Sequence, residues 1–342
     1  MINICICGGG SLGHVCSAVL SSQKDVTVNV LTRHPERWSP KITAIDNNGK
    51  SFEGQLSKVT ENPESAITGC DIVFLCLPGY AIKESLLAIK PFLKESTIVG
   101  SIVSSTGFFF TAHDILSPNQ KLFGFQRTPF IARTLEYGKR VALLGYKEQV
   151  AIAVENIIEK ENFRQIIERL WITPVQLLNN YYEASLTNSN PILHTGRLYA
   201  MWKDWDGKPY REPILFYKEW DILASDTIIA MDEEFQNLLK SLPVSDGAIP
   251  TLLKYYESND ACTLCDKIKS IPAFQTIQAP MKKTPDGWIP DFESRYFTED
   301  FPFGLAYIVN LAKKNDIPIP MISKVYNWGM NILTLNKFTI TQ

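Results

Sequence analysis

Directly after the apolar run 2–7 comes Gly8-Gly9-Gly10-Ser11-Leu12-Gly13, a G-x-G-x-x-G pattern that opens an amphipathic stretch over 12–22. Each glycine answers a need of pyrophosphate binding: Gly8 permits a tight turn off a strand, Gly10 lets backbone approach a diphosphate, and Gly13 lets a helix pack closely on the strand. The first turn of that helix, with Ser11 and Leu12, adds unpaired N–H groups and partial positive charge. A dinucleotide site is expected here because strand, glycines, helix and second strand follow in the required order. The second strand ends in Leu31-Thr32-Arg33-His34. An NAD site usually places Asp or Glu about 20 residues past the glycines for the ribose 2′-OH, whereas arginine accommodates a 2′-phosphate. Thr32 and Arg33, with Arg37 one turn on, therefore favour NADP(H), with NAD(H) as the alternative. Leu77-Pro78-Gly79-Tyr80 and Val103-Ser104-Ser105-Thr106-Gly107 follow later strand candidates and are expected to line the nicotinamide half, or to be plain turns.

Proton chemistry points elsewhere in the chain. Of the four histidines, His14, His34 and His113 show no acidic company in the sequence and read as structural. His194 differs: in Asn190-Pro191-Ile192-Leu193-His194 a proline opens a helix and sets the imidazole on its first turn, a group suited to proton transfer near neutral pH. A second cluster, Ser294-Arg295-Tyr296-Phe297-Thr298-Glu299-Asp300-Phe301-Pro302-Phe303-Gly304, carries both charge signs between aromatics. Alone, it reads equally well as a helix cap on Thr298 or Asp300. The single Cys262-Thr263-Leu264-Cys265 lacks a second ligand pair, so no metal site is expected and both cysteines read as structural.

The elements that must position these groups fall into two patterns. Up to about residue 145, short Ile- and Val-rich runs alternate with amphipathic stretches, the rhythm of β-α units around a mainly parallel, doubly wound sheet. Strands are expected at 2–7, 26–31, 72–77, 97–102, 122–125 and 141–144, and Asn47-Asn48-Gly49 marks a hairpin between 42–46 and 51–56 inserted on the sheet edge. After Glu148 helical periodicity takes over, apart from the β-branched run 172–178. Helices are expected within 181–201, 214–239, 250–256, 304–314 and 321–333, joined by loops such as 204–213 and 279–290. The boundary is placed at 178, giving domains 1–178 and 179–342.

A length of 342 residues fits two domains at roughly 100–200 residues each. Lys plus Arg number 34 against 36 Asp plus Glu, a net charge of −2 without a basic block, so neither nucleic acid nor an anionic membrane surface is an expected partner. Seven scattered cysteines are poor material for a disulfide framework, the opening Met1-Ile2-Asn3 has no basic leader segment, and no apolar run approaches the ~20 residues of a membrane span. A cytoplasmic protein acting on small molecules is expected.

The glycine motif, the N-P-I-L-H segment ending at His194 and the R-Y-F-T-E-D-F-P-F-G segment from Arg295 to Gly304 together resemble the octopine/nopaline (opine) dehydrogenase family along essentially the whole chain. The last two motifs are specific; the first is shared by many dehydrogenases. The resemblance implies a Rossmann domain followed by an all-α substrate domain of the 6-phosphogluconate dehydrogenase C-terminal type. It implies acid–base catalysis by His194 with Asp300, a substrate carboxylate held by Arg295, and a keto-acid pocket lined by Gln126. The implied reaction joins an amino acid and an α-keto acid through an imine that NAD(P)H reduces, reversibly, and a homodimer is left open. Tyr199, Trp202 and Trp205 are candidates either for the amino-acid pocket or for core. Two other readings stand beside it: a 2-keto or hydroxy-acid reductase resembling ketopantoate reductase or 6-phosphogluconate dehydrogenase, whose Lys-Asn arrangement has no matching upstream lysine here, and a non-enzymatic NADPH sensor.

Overall fold

Apolar runs too short for helices and covered on both faces become strands, and the first unit is built from them. In chain order it contains β1 (Ile2–Cys7), α1 (Ser11–Ser21), β2 (Val26–Leu31), β3 (Lys41–Asp46), β4 (Ser51–Gln55), β5 (Lys58–Thr60), α2 (Pro63–Ile67), β6 (Ile72–Leu75), α3 (Gly79–Ile89), β7 (Ile98–Ser101), α4 (Phe108–Ile115), β8 (Lys121–Phe125), β9 (Phe130–Glu136), β10 (Arg140–Tyr146), β11 (Val150–Glu155), α5 (Lys160–Trp171), β12 (Val175–Leu177) and α6 (Tyr181–Leu186). The computed structural model describes residues 1–340, with side chains to 335. Eight strands form one sheet in the order β12-β11-β8-β7-β6-β1-β2-β5, parallel throughout except where β11 meets β8. Strand β1 lies at the point where the order reverses, paired with β2 on one side and β6 on the other. That is the Rossmann-type arrangement the motifs implied.

Two expectations change in this unit. The hairpin β3–β4 is not an addition to the edge of the main sheet: it joins β10 and β9 in a separate four-stranded sheet, order β4-β3-β10-β9. Strand 141–144, expected in the main sheet, belongs there as well, because Val141 and Leu143 are buried while Leu144 is exposed, the alternation of a sheet wet on one face. Helix α1 packs against strands of both sheets, so it is buried from Gly13 to Leu20 and even His14 and Ser17 are inside. The second change concerns the boundary. Strands β11 and β12 extend the main sheet beyond Glu148, and α6 packs on it, with Tyr181 stacked on Phe109 at 5.3 Å and Ala184 in the core. The two compact units are therefore Met1–Thr187 and Asn188–Gln342, and the division lies past 178.

The second unit holds α7 (Asn190–Trp202), α8 (Ile222–Lys240), α9 (Leu252–Tyr255), α10 (Ala261–Ser270), β13 (Met281–Thr284), β14 (Gly287–Pro290), α11 (Arg295–Thr298), a π-helical turn (Phe301–Leu305), α12 (Ala306–Lys314) and α13 (Pro320–Ile340). It is helical as expected but not wholly so, since β13 and β14 pair in a hairpin inside the 279–290 segment. Thr284-Pro285-Asp286-Gly287 supplies the turn chemistry, with Gly287 at φ +137°. The 181–201 stretch is two helices, and the 214–239 stretch becomes helical only at Ile222, where the Asp221 carboxylate accepts from the Ala224 N–H at 2.7 Å. Tyr199 and Trp202 are core: Trp202 stacks on Phe297 and Tyr199 meets Trp328 edge-on. Trp205 is half-buried, its indole N–H donating to the Lys208 carbonyl.

Candidate active site

The glycine turn has the form that diphosphate binding requires. Gly8 leaves β1 at φ +130°, and a Cβ there would lie 2.5 Å from the Cys76 carbonyl oxygen, so the turn is closed to any other residue. A Cβ on Gly13 would meet the Gly8 carbonyl at 2.0 Å, which is the close approach of helix and strand. At Gly10 a Cβ would meet nothing within 4 Å, leaving that face of the turn open to an incoming phosphate. No side chain caps the start of α1 and no acid sits on its first turn, so its backbone N–H groups suit an anion. Leu12 is half-buried, and the Ser11 hydroxyl is committed elsewhere: it contacts Thr134 Oγ1 at 2.9 Å and accepts from the Thr134 N–H at 3.0 Å. The Ser11 backbone stands at the start of α1, where the phosphate role is expected of it.

Around this turn the second sheet forms a brace that the sequence did not reveal. The Gly138 N–H donates to His14 Nε2 at 2.7 Å, so Nδ1 carries the imidazole proton and donates to the Gly10 carbonyl at 2.9 Å. The ring lies on Trp38, with Tyr137 edge-on, and the Arg37 guanidinium covers Tyr137 at 4.2 Å. Burial pushes the His14 pKa down. Thr32 at the end of β2 is buried, its N–H donating to the Thr60 carbonyl at 3.0 Å, while Arg33 and Arg37 are exposed. Beyond β6, Leu77 adjoins Gly8 and Pro78 precedes α3. Beyond β7, Val103 sits at φ +154°, where a branched residue is strained, and its carbonyl accepts from Ser101 and Thr106 hydroxyls.

In the helical unit the geometry joins the two motifs that chemistry singled out. His194 on α7 and Asp300, 106 residues apart, meet at 2.8 Å between Nδ1 and Oδ2. A carboxylate accepts, so Nδ1–H is the donor and Nε2 holds the lone pair; Tyr217 O–H, 3.0 Å away, donates to it. Asp300 caps no helix. It stands just before the π-helical turn, which presses on the start of α7 so closely that a Cβ on Gly304 would lie 2.8 Å from Pro191. Gly329 on α13 gives Phe301 similar room, a Cβ there meeting its ring at 2.1 Å. Tyr296 lies over the imidazole at 4.6 Å and Phe216 meets it edge-on. Burial raises the pKa of both Tyr296 and Tyr217, the latter well above the phenol range.

Arg295 is exposed and grips Glu299 with a fork, Nε to Oε1 and Nη2 to Oε2 both at 2.7 Å. The amide nitrogen of Gln126 donates to Thr187 Oγ1 at 3.0 Å and to the Glu183 carbonyl within the first unit. His113, read without acidic company, pairs with Glu155 at 2.8 Å, and His34 lies 3.5 Å from Glu36. Arg197, one turn after His194, is buried and donates to the carbonyls of Phe216 and Glu219 and to Asp221. It thereby pins the loop that carries Tyr217. Its i+3 spacing from His194 was a usable signal; Tyr217 gave none. Among the described residues no cluster fits a metal ion, and Cys262 and Cys265 are free thiols, the second buried.

Comparison with known proteins places the whole chain beside dehydrogenases. Residues 177–333 match the family model for the α-helical domain of NAD/NADP octopine/nopaline dehydrogenase, and residues 4–109 match that of ketopantoate reductase PanE/ApbA. Tauropine dehydrogenase of Arabella iricolor is 29% identical over 97% of this chain and 92% of its own. An octopine dehydrogenase structure with NADH and L-arginine superposes with a TM-score of 0.88 at 26% identity, covering 98% of this chain and 90% of that one. A second, with NADH and pyruvate, gives 0.87 at 25% over 97% and 89%. The chain belongs to the NAD(P)-dependent octopine/nopaline (opine) dehydrogenase family, oxidoreductases acting on CH–NH bonds.

Proposed function

We propose that this enzyme catalyses the reversible reductive condensation of an amino acid with an α-keto acid, with His194 and Asp300 as its acid–base pair. The observation that carries the reading is the 2.8 Å contact between His194 Nδ1 and Asp300, which orients the imidazole and leaves Nε2 for proton exchange. The bound dinucleotide supplies or accepts the hydride. The turn from Gly8 to Gly13 and the start of α1 hold its diphosphate, with Thr32, Arg33, Leu77 and Pro78 along the same strand ends. Arg295 takes the keto-acid carboxylate in the bidentate fork that Glu299 now occupies. Gln126 contacts the keto acid. In opine oxidation the imidazole gains a proton and Asp300 stabilises the imidazolium; in condensation the proton returns. A ketopantoate-reductase-like enzyme and an NADPH sensor are not favoured, because the helical unit carries the octopine/nopaline signature.

For the cofactor we propose NADP(H) over NAD(H), supported by the exposed Arg33 and Arg37 and by Thr32 where an acid would hold a 2′-OH. Replacing Arg33 by Asp should shift the efficiency ratio toward NADH; an unmoved ratio assigns Arg33 to the loop alone. We place the enzyme in a reducing, cytoplasmic setting on its seven free thiols. No helix among the described residues is long and apolar enough to cross a membrane. The deciding experiment follows NADPH and NADH oxidation in panels of α-keto acids with and without amino acids. A requirement for both substrates supports the reading, and oxidation by a keto acid alone overturns it in favour of a hydroxy-acid reductase.

A further inference from the structure

The nitrogen of His194 left for chemistry is not bare. Nδ1 is held by Asp300, and the Nε2 lone pair accepts the Tyr217 hydroxyl at 3.0 Å. A proton can pass directly between Nε2 and a substrate only if Tyr217 moves aside. Its surroundings oppose that movement. The ring is buried, stacked on Phe274 at 4.1 Å and parallel to Trp220, with Phe216 edge-on. On either side of it the Phe216 and Glu219 carbonyls are tied to the buried Arg197 guanidinium at 3.2 and 2.6 Å, and Arg197 is tied in turn to Asp221 at 3.0 Å.

We propose that Tyr217 is a proton relay between His194 and the substrate, its hydroxyl giving a proton to Nε2 as it takes one from the reacting group. The inference rests on the opine reading for the substrate's identity. In the oxidative direction the substrate N–H or O–H bond breaks toward Tyr217 Oη while the Oη–H bond breaks toward Nε2. Tyrosine ends neutral, and the imidazolium formed faces Asp300. Condensation runs the same two transfers backward, and the electron pair moves only in the hydride. The groups facing the phenol are His194 from α7, Tyr256 just after α9, Tyr296 from α11 and Asp300. None is a fixed cation that would ionise it, and burial keeps it protonated, as a relay must be and a base must not.

The test uses the full-length Tyr217→Phe enzyme, which keeps the ring and its stacking. With NADPH binding unchanged by fluorescence, kcat for opine oxidation should fall about 10- to 100-fold. The acid limb of its pH profile should move upward, since a donor to neutral imidazole has been removed. In mixtures of light and heavy water the wild-type rate should report two protons in flight and the variant one. Selective ¹⁵N NMR of His194 gives a readout independent of turnover: its titration should shift upward in the variant. An unchanged rate with a one-proton wild-type inventory, or an identical His194 titration in both proteins, overturns the relay. If the wild type oxidises NADPH with a keto acid alone, the opine reading fails, yet the same inventory still decides on Tyr217 because that reduction also consumes a proton.

Discussion

His14 and His194 have the same outward description and, on the function proposed above, opposite purposes. Each sits early on a helix, each is the Nδ1–H tautomer, and each has both ring nitrogens hydrogen-bonded. The difference lies in the partners. His14 bridges a backbone carbonyl and a backbone amide, groups whose protons do not move, and it ties the glycine turn to the Gly138 turn of the second sheet. His194 bridges a carboxylate and a phenol, groups that exchange protons. A satisfied histidine is thus a brace or a catalyst according to what its neighbours can do with a proton.

That contrast can be broken by substitution. Changing His194 to Asn, or Asp300 to Asn, should lower turnover by roughly 10²- to 10⁴-fold while NAD(P)H binding, read by fluorescence, stays within twofold. Near-normal turnover in either folded variant would leave His194 no different from His14. The reverse pattern is expected of His14→Ala. It orphans the buried Gly138 N–H and strips a ring from Trp38, so urea unfolding should show a loss of about 2–4 kcal/mol. Its kcat at saturating cofactor should stay close to normal and its cofactor Kd should rise; a collapse of kcat instead would make His14 part of the chemistry.

A pH titration sharpens the same contrast. Burial holds the folded-state pKa of His14 below its unfolded value of about 6.5, so the native protein binds fewer protons than the unfolded one in that window. Stability contributed by the neutral ring is present above about pH 6.5 and is lost as pH falls through the window. This slope, measured by urea melts from pH 7.5 to 5, should be shallower in His14→Ala than in the unsubstituted protein. The smallest effect is expected at Arg295. On the proposed role of Arg295, Glu299 competes for its fork, and a pair whose arginine end is exposed is worth about 0–1 kcal/mol, so Glu299→Gln should lower KM for the keto acid by at most roughly fivefold. A rise in KM would show that Glu299 orients the guanidinium rather than competing for it.

What was legible beforehand was local. The glycine turn, its strand and its helix are contiguous, so each glycine's task could be assigned from spacing alone. His194 and Asp300 could be named from two short motifs, though nothing in the spacing showed that they touch. Contacts closed by the fold stayed hidden: Gly138 to His14 spans 124 residues, Ser11 to Thr134 spans 123, and His113 to Glu155 spans 42. Strand β9, Phe-Ile-Ala-Arg-Thr-Leu-Glu, escaped because Ile131 and Leu135 point outward and blur the alternation. Strand β11 escaped because it follows the last recognisable β-α unit and runs antiparallel to its neighbour, where the β-α rhythm no longer applies.

The distance along the chain between His194 and Asp300 also sets an order in time. Helix α7 can form from its own residues, but Asp300 reaches the imidazole only after a loop of 106 residues has closed and the π-helical turn has settled between Pro191 and Gly329. Loop closure must precede the contacts that reward it, so pairs far apart in sequence form late. During refolding, helical signal therefore returns first and catalytic competence afterward. In a growing chain, His194 exists for more than a hundred residues of synthesis before its partner does.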